Sequence, residues 1–152
     1  MARLLIIFSS QTGHTARLAG AAVAGALSLD PPPELRLIRA LEAGLDDLLW
    51  ADGVLFGTPE NFGYMSGALK NFFDRTYYPA QGRVAGRPYG LFVSAGNDGS
   101  GAVMAIERIV RGYPLQKVAE PVIVRGEPDA DGLARCAELG LTLAAGLCYG
   151  VF

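Results

Sequence analysis

Five short apolar runs alternate along this chain with five stretches of helical periodicity, and no other feature constrains its fold as tightly. Strands separated by helices cannot pair as hairpins. They pair in parallel, and the crossover helices then cover both faces of the sheet. The spacing predicts strands over 3–9, 34–39, 52–57, 89–95 and 116–124, and helices over 14–28, 42–50, 66–78, 101–112 and 131–148. With right-handed crossovers, five such strands form a doubly wound α/β sheet in the order 2-1-3-4-5. Local signals agree. Pro31-Pro32-Pro33 stiffens the approach to the second strand, and Ser66 is placed to cap the third helix. Lys70 and Asp74 can pair one turn apart, and Gly112-Tyr113-Pro114 stops the fourth helix.

Size and charge then narrow the function classes. A chain of 152 residues buries roughly two-thirds of its unfolded surface, so residues 1–152 are read as one domain that needs no disulfide or metal. Hydrophobic residues make up 51% and charged residues 18%, which excludes a disordered chain. A net charge of −2 with scattered arginines gives no basic stripe for nucleic acid or an anionic membrane. The run Leu4–Phe8 is too short for a signal peptide. Leu139–Phe152 falls short of a membrane span and holds Gly140, Gly146 and Gly150. A cytoplasmic protein is expected. Cys136 and Cys148 lie too far apart on one helix to pair within it and read as small buried hydrophobes. His14 is the sole histidine, so a histidine-cluster metal site is excluded.

Three loops carry the chemistry. The first, Ser10-Gln11-Thr12-Gly13-His14-Thr15, joins the strand Leu4–Phe8 to a helix with apolar Ala16, Ala19, Ala22, Val23, Ala26 and Leu27. The first turn of a helix has free N–H groups and a partly positive end, which together attract an anion. Hydroxyls of Ser10, Thr12 and Thr15 can add hydrogen bonds around a phosphate. With one glycine and no lysine, the loop is neither a dinucleotide fingerprint nor a lysine phosphate loop. It suits a monoester phosphate that stays bound. The second loop is Pro59-Glu60-Asn61-Phe62-Gly63-Tyr64, and the third runs from Ser94 through Ala95, Gly96, Asn97, Asp98 and Gly99 to Gly101. Taken singly, each also reads as an ordinary helix cap or turn. In the order above they follow the first, third and fourth strands and converge at the switch point of the sheet.

The first loop resembles the phosphate loop of the flavodoxin-like family, Ser/Thr-x-Thr-Gly-x-Thr, and matches it at every fixed position. Gly57–Arg75 looks like the flavin-ring loop and following helix of the quinone reductases once named tryptophan-repressor-binding proteins. The third loop follows in the right order, so the resemblance spans essentially the whole chain. It implies FMN, with the phosphate at residues 10–15 and the ring between 59–64 and 94–101. Phe62 and Tyr64 are the candidate ring contacts, while Trp50 is read as core cover. Glu60 and Asp98 would oppose the negative charge of a reduced ring. The resemblance further implies that a peptide at Gly63 rotates so that its carbonyl accepts from N5–H of the reduced ring.

Two functions remain in play. One is an NAD(P)H-dependent oxidoreductase passing electrons to quinones or similar small acceptors. The other is a flavodoxin-like electron carrier that docks a redox protein partner. The third loop has no aromatic and the net charge is small, which favours the enzyme. Against it, the chain lacks the reductases' long insertion after the second strand and their histidine in the second half. Thr12 and Thr15 are also more flavodoxin-like. A homo-oligomer is left open.

Overall fold

A computed structural model describes residues 1–152. In chain order the elements are β1 (Arg3–Phe8), α1 (His14–Leu27), β2 (Glu34–Arg39), α2 (Leu45–Trp50), β3 (Gly53–Pro59), α3 (Gly67–Ala80), β4 (Pro88–Ala95), α4 (Ser100–Val110), β5 (Gln116–Lys117), β6 (Val122–Arg125) and α5 (Ala130–Cys148). Every ladder is parallel, in the order β2-β1-β3-β4, with β5 and β6 both on the far edge of β4. This is the expected order 2-1-3-4-5, with two short strands filling the fifth position. β3 and β4 are buried almost end to end, and β1 along all but its first residue. Helices on both faces therefore require apolar runs there, not alternation.

The fifth strand differs from the expected continuous run over 116–124. Between the pairs Tyr89↔Lys117 and Phe92↔Val122, β4 advances three residues while its partner advances five. Val118 N still donates to Tyr89 O, and the excess leaves the ladder at 119–121, where Pro121 has no N–H to donate.

Two cores flank the sheet. One gathers 22 buried residues, with Phe56, Phe72 and Phe73 beneath α3 and α4. Its rings meet edge-on or tilted, as in Phe56–Phe73 at 5.2 Å and Phe73–Tyr113 at 5.8 Å. The other holds 15 buried residues beneath α1 and α5. Those helices touch backbone to backbone. A Cβ on Gly25 would lie 2.8 Å from Ala137 Cα, and one on Gly140 would lie 3.0 Å from Ala22 Cα. Each helix thus supplies a glycine where the other's backbone crosses it.

Local expectations fare differently. Ser66 caps α3 by accepting from Leu69 N at 3.2 Å, and Lys70 Nζ lies 2.7 Å from Asp74. Gly112 follows α4, yet its φ is not in the left-handed region; its missing side chain instead makes room for the Tyr77 ring. Trp50 ends α2 at the edge opposite the three loops, covered by the Arg36 guanidinium at 4.1 Å. Cys136 is buried and Cys148 half-buried, both as free thiols. No helix is long and apolar enough to cross a membrane.

Candidate functional site

The first loop turns on Gly13, whose φ of 95° only glycine adopts cheaply. The Ser10 hydroxyl accepts from Ala16 N at 3.2 Å, which consumes one donor of the first turn of α1. The N–H groups of Gln11, Thr12, Gly13, His14 and Thr15 find no protein acceptor. Orphan donors on a partly exposed loop at a helix N-terminus make an anion cradle, and a phosphate monoester fits that donor set. Gln11 and Thr12 are exposed, while Gly13 and His14 are half-buried. Thr15 departs from its expected part. It is 1% exposed, and its hydroxyl pairs with that of Ser94 at 2.7 Å. The hydroxyl therefore ties α1 to the end of β4 instead of standing free in the loop.

The second loop is a two-residue hairpin. Asn61 N donates to Tyr64 O at 2.9 Å, and Tyr64 N donates to Asn61 O at 3.0 Å. Phe62 and Gly63 between them have φ of 54° and 71°, the pair of positive values that marks a type I′ turn. A phenylalanine in that region is strained, and Phe62 is also fully exposed. Its ring faces solvent at the mouth of the loops. Tyr64 parts from Phe62: it lines a groove of about 520 Å³ between the turn and α4, with Met104, Arg108 and Arg111. The Gly63 carbonyl, expected to reach N5–H, packs against Gly101 on the first turn of α4 in this conformation.

Ser94 and Ala95 close β4 and are buried, with Pro59 opposite Ser94 as the last β3–β4 pair. They form the floor. Gly96, Asn97 and Asp98 above them are exposed, while Gly99 is buried with φ of 94° at the start of α4. A cavity of about 570 Å³ opens between the second and third loops, lined by Phe62, Gly63, Gly96, Asn97, Asp98 and Gly101, with Glu60 and Ser100. Both expected carboxylates are present, but neither is loose. Asp98 accepts from Ser100 Oγ at 2.6 Å, and the hydroxyl and backbone N–H of Ser100 hold it below the usual carboxylate range. Glu60 accepts from Gly99 N and Ala102 N.

Polar ties then triangulate the loops. Asn61 Nδ2 donates to Gln11 Oε1 at 2.9 Å, joining the first loop to the second. Glu60 joins the second to the third, and Thr15–Ser94 joins the first to the third. Below them the Ser9 and Ser66 hydroxyls bond each other, and Ser66 N donates to Thr58 Oγ1 at 3.0 Å. Sequence reading missed Ser9, Thr58 and Ser66 as supports. For Ser9 and Thr58 the signal was a hydroxyl at a strand end beside an apolar run; Ser66 was legible only as the cap of α3.

The comparisons with known proteins agree with this geometry. The family model for NADPH-dependent FMN reductase matches residues 39–120, more than half of the chain. A flavodoxin from Aquifex aeolicus (strain VF5) is 32% identical over 160 residues, covering 95% of this chain and 86% of the relative. An NAD(P)H dehydrogenase (quinone) from Acidithiobacillus ferrooxidans is 35% identical over 121 residues, covering 66% of this chain and 60% of the relative. Among solved structures, a flavodoxin from the domain Archaea superposes with a TM-score of 0.83 at 21% identity. It covers 96% of this chain and 99% of that one, which shows the fold. The chain belongs to the NADPH-dependent FMN reductase family and is a flavodoxin-like flavoprotein whose cofactor is FMN.

Proposed function

We propose that this oxidoreductase takes hydride from NADH or NADPH and passes electrons to a quinone or similar small acceptor. The observation that carries the reading is the open wall of the ring cavity. The third loop contributes Gly96, Asn97, Asp98, Ser100 and Gly101, and none of these can stack over a ring. Bound FMN supplies the hydride acceptance and electron delivery, and the protein controls its orientation and access. The Ser10–Thr15 backbone N–H groups, with the Thr12 hydroxyl, hold the phosphate. Phe62 covers one side of the ring, and Gly96 and Asn97 leave the other free for donor and acceptor. Beside the turn, the guanidinium groups of Arg108 and Arg111 make no hydrogen bond or ion pair, so the adjoining groove offers two uncommitted cations to a donor's phosphates. Two free thiols and no disulfide fit a reducing cytoplasm. The two cores share one sheet, which supports reading the chain as one domain.

Stopped-flow bleaching of the FMN-loaded protein by each nicotinamide tests the reading. Bleaching within seconds, and parallel initial-rate lines when donor and acceptor take turns at one face, are expected. Absent bleaching over minutes, with rapid reduction by a separate reductase that slows in salt, would instead assign the chain to the electron carriers.

A further inference from the structure

We infer that Glu60 is a positioning residue for the flavin ring: it clamps the two ring loops at a fixed spacing and sets the charge at their junction. The inference rests on FMN as cofactor and not on the identity of donor or acceptor. Its carboxylate bridges two backbone N–H groups, Oε1 to Gly99 N at 2.9 Å and Oε2 to Ala102 N at 3.1 Å. These donors lie about 40 residues downstream, at the start of α4. The helix needs the help: its N-cap is Gly99, without a side-chain cap, and its first turn contains no acidic residue. Glu60 supplies the cap from another loop. Its own backbone is pinned as well, since Glu60 N donates to Ser94 O at 2.8 Å.

The seat beneath the clamp is Gly101. A Cβ there would lie 2.8 Å from the Gly63 carbonyl carbon and 3.1 Å from Glu60 Oε2. The Asn61–Tyr64 turn therefore rests directly on the first turn of α4, and Glu60 holds it down. Phe62 and Gly63 on one side, and Gly96 and Asn97 on the other, inherit their separation from this contact.

The same bonds have an electrostatic effect. The N-terminus of α4 carries roughly half a positive charge and borders the ring cavity, where a reduced ring gathers negative charge. Glu60 lays a full negative charge on that end. The helix pole, which alone would favour the reduced ring, is offset, and the ring is held at a lower potential. Asp98, also at this end, is exposed and screened by water, so it exerts less of this effect.

Two variants separate clamp from charge. Glu60→Ala removes both bonds; Glu60→Gln keeps one acceptor and the volume but removes the charge. The readouts are FMN affinity by fluorescence titration, for oxidised and reduced FMN, and the midpoint potential against reference dyes. Glu60→Ala should weaken oxidised FMN at least tenfold. Glu60→Gln should hold oxidised FMN within about threefold of wild type, raise the midpoint potential, and tighten reduced relative to oxidised FMN at least threefold. Unchanged affinity in Glu60→Ala overturns the clamp, and an unchanged potential in Glu60→Gln overturns the charge. A residue that merely stabilised the fold would lower affinity without moving the potential. Should Glu60→Ala fail to fold, Glu60→Asp tests the clamp in its place. One methylene shorter, it keeps the charge but not the reach to both N–H groups, and unchanged affinity there overturns the clamp. Failure of the wild-type protein to bind FMN would refute the cofactor assignment itself, a result distinct from either.

Discussion

Adding one methyl group at Gly101 should open the ring site without touching its chemistry. The built Cβ would lie 2.8 Å from the Gly63 carbonyl carbon and closer still to its oxygen, where ordinary contact begins near 3.4 Å. Backbone must therefore move by more than half an ångström, since the two nearest atoms belong to the Gly63 peptide and not to a side chain. The helix side cannot yield: Ala102 and Ile106 are fully buried in the core. The turn can, because Phe62, Gly63 and Tyr64 are exposed. Overpacking of this kind costs about 1–3 kcal/mol. Relief comes by lifting the turn away from α4, which stretches both Glu60 bonds and widens the ring cavity. If ring binding must pull the turn back, that cost falls on affinity, roughly fivefold to a hundredfold for FMN at 1.4 kcal/mol per decade. Fluorescence titration reads it directly. Gly67→Ala is the control, since a Cβ there meets nothing within 4 Å; it should bind FMN as wild type does. Wild-type affinity in Gly101→Ala would mean that the turn does not bear on α4 when FMN is bound.

Further outcomes follow from the same geometry. Thr12→Val should lower FMN affinity about tenfold with little change in thermal midpoint, whereas Thr15→Val should cost about 1–3 kcal/mol of stability by orphaning the buried Ser94 hydroxyl; the reverse pattern would exchange their roles. Burial pushes the Cys136 thiol from 9.0 up to about 12, and chiefly burial pushes the Tyr113 hydroxyl from 10.0 up to about 12. Both are neutral in the folded state, so the stability they contribute is complete below about pH 9 and is lost as pH rises toward 12. Urea midpoints that stay flat across that window, or a Cys136→Ala protein with the same alkaline fall from its onset, would contradict this. Replacing Arg108 and Arg111 together with alanine should raise KM for NADPH about tenfold, with kcat and reduction by a phosphate-free dihydronicotinamide unchanged; equal effects on both donors would remove the groove from donor binding.

The sheet order and the three loops were legible because they rest on local signals. Central parallel strands need unbroken apolar runs, and β1, β3 and β4 have them. What escaped depends on a partner far along the chain. Residues 116–124 look like one strand until β4 is laid beside them and the two extra residues appear. Thr15 sits in a phosphate-loop pattern, yet its hydroxyl answers to Ser94, 79 residues away. Phe62 and Tyr64 are near neighbours of similar character, and only the left-handed turn between them sends one to the ring cavity and the other to the α4 groove. Gly140 read as a mark against a membrane span; its role is to admit the Ala22 backbone. Glu60 read as a charge opposing reduction; that it also caps α4 depends on Gly99 and Ala102, about 40 residues further on.

The broken fifth position also bears on how the protein behaves when concentrated. An open sheet has two edges, and a long flat edge invites a second copy to add a strand. One edge here is β2, where Glu34, Arg36 and Arg39 place charge along a six-residue strand. The other is β5 and β6, fragments of two and four residues separated by a stretch containing Pro121. Neither edge presents a continuous uncharged row of free N–H and C=O groups. A chain this rich in apolar strands is thereby kept from templating its own aggregation at the margins of the sheet.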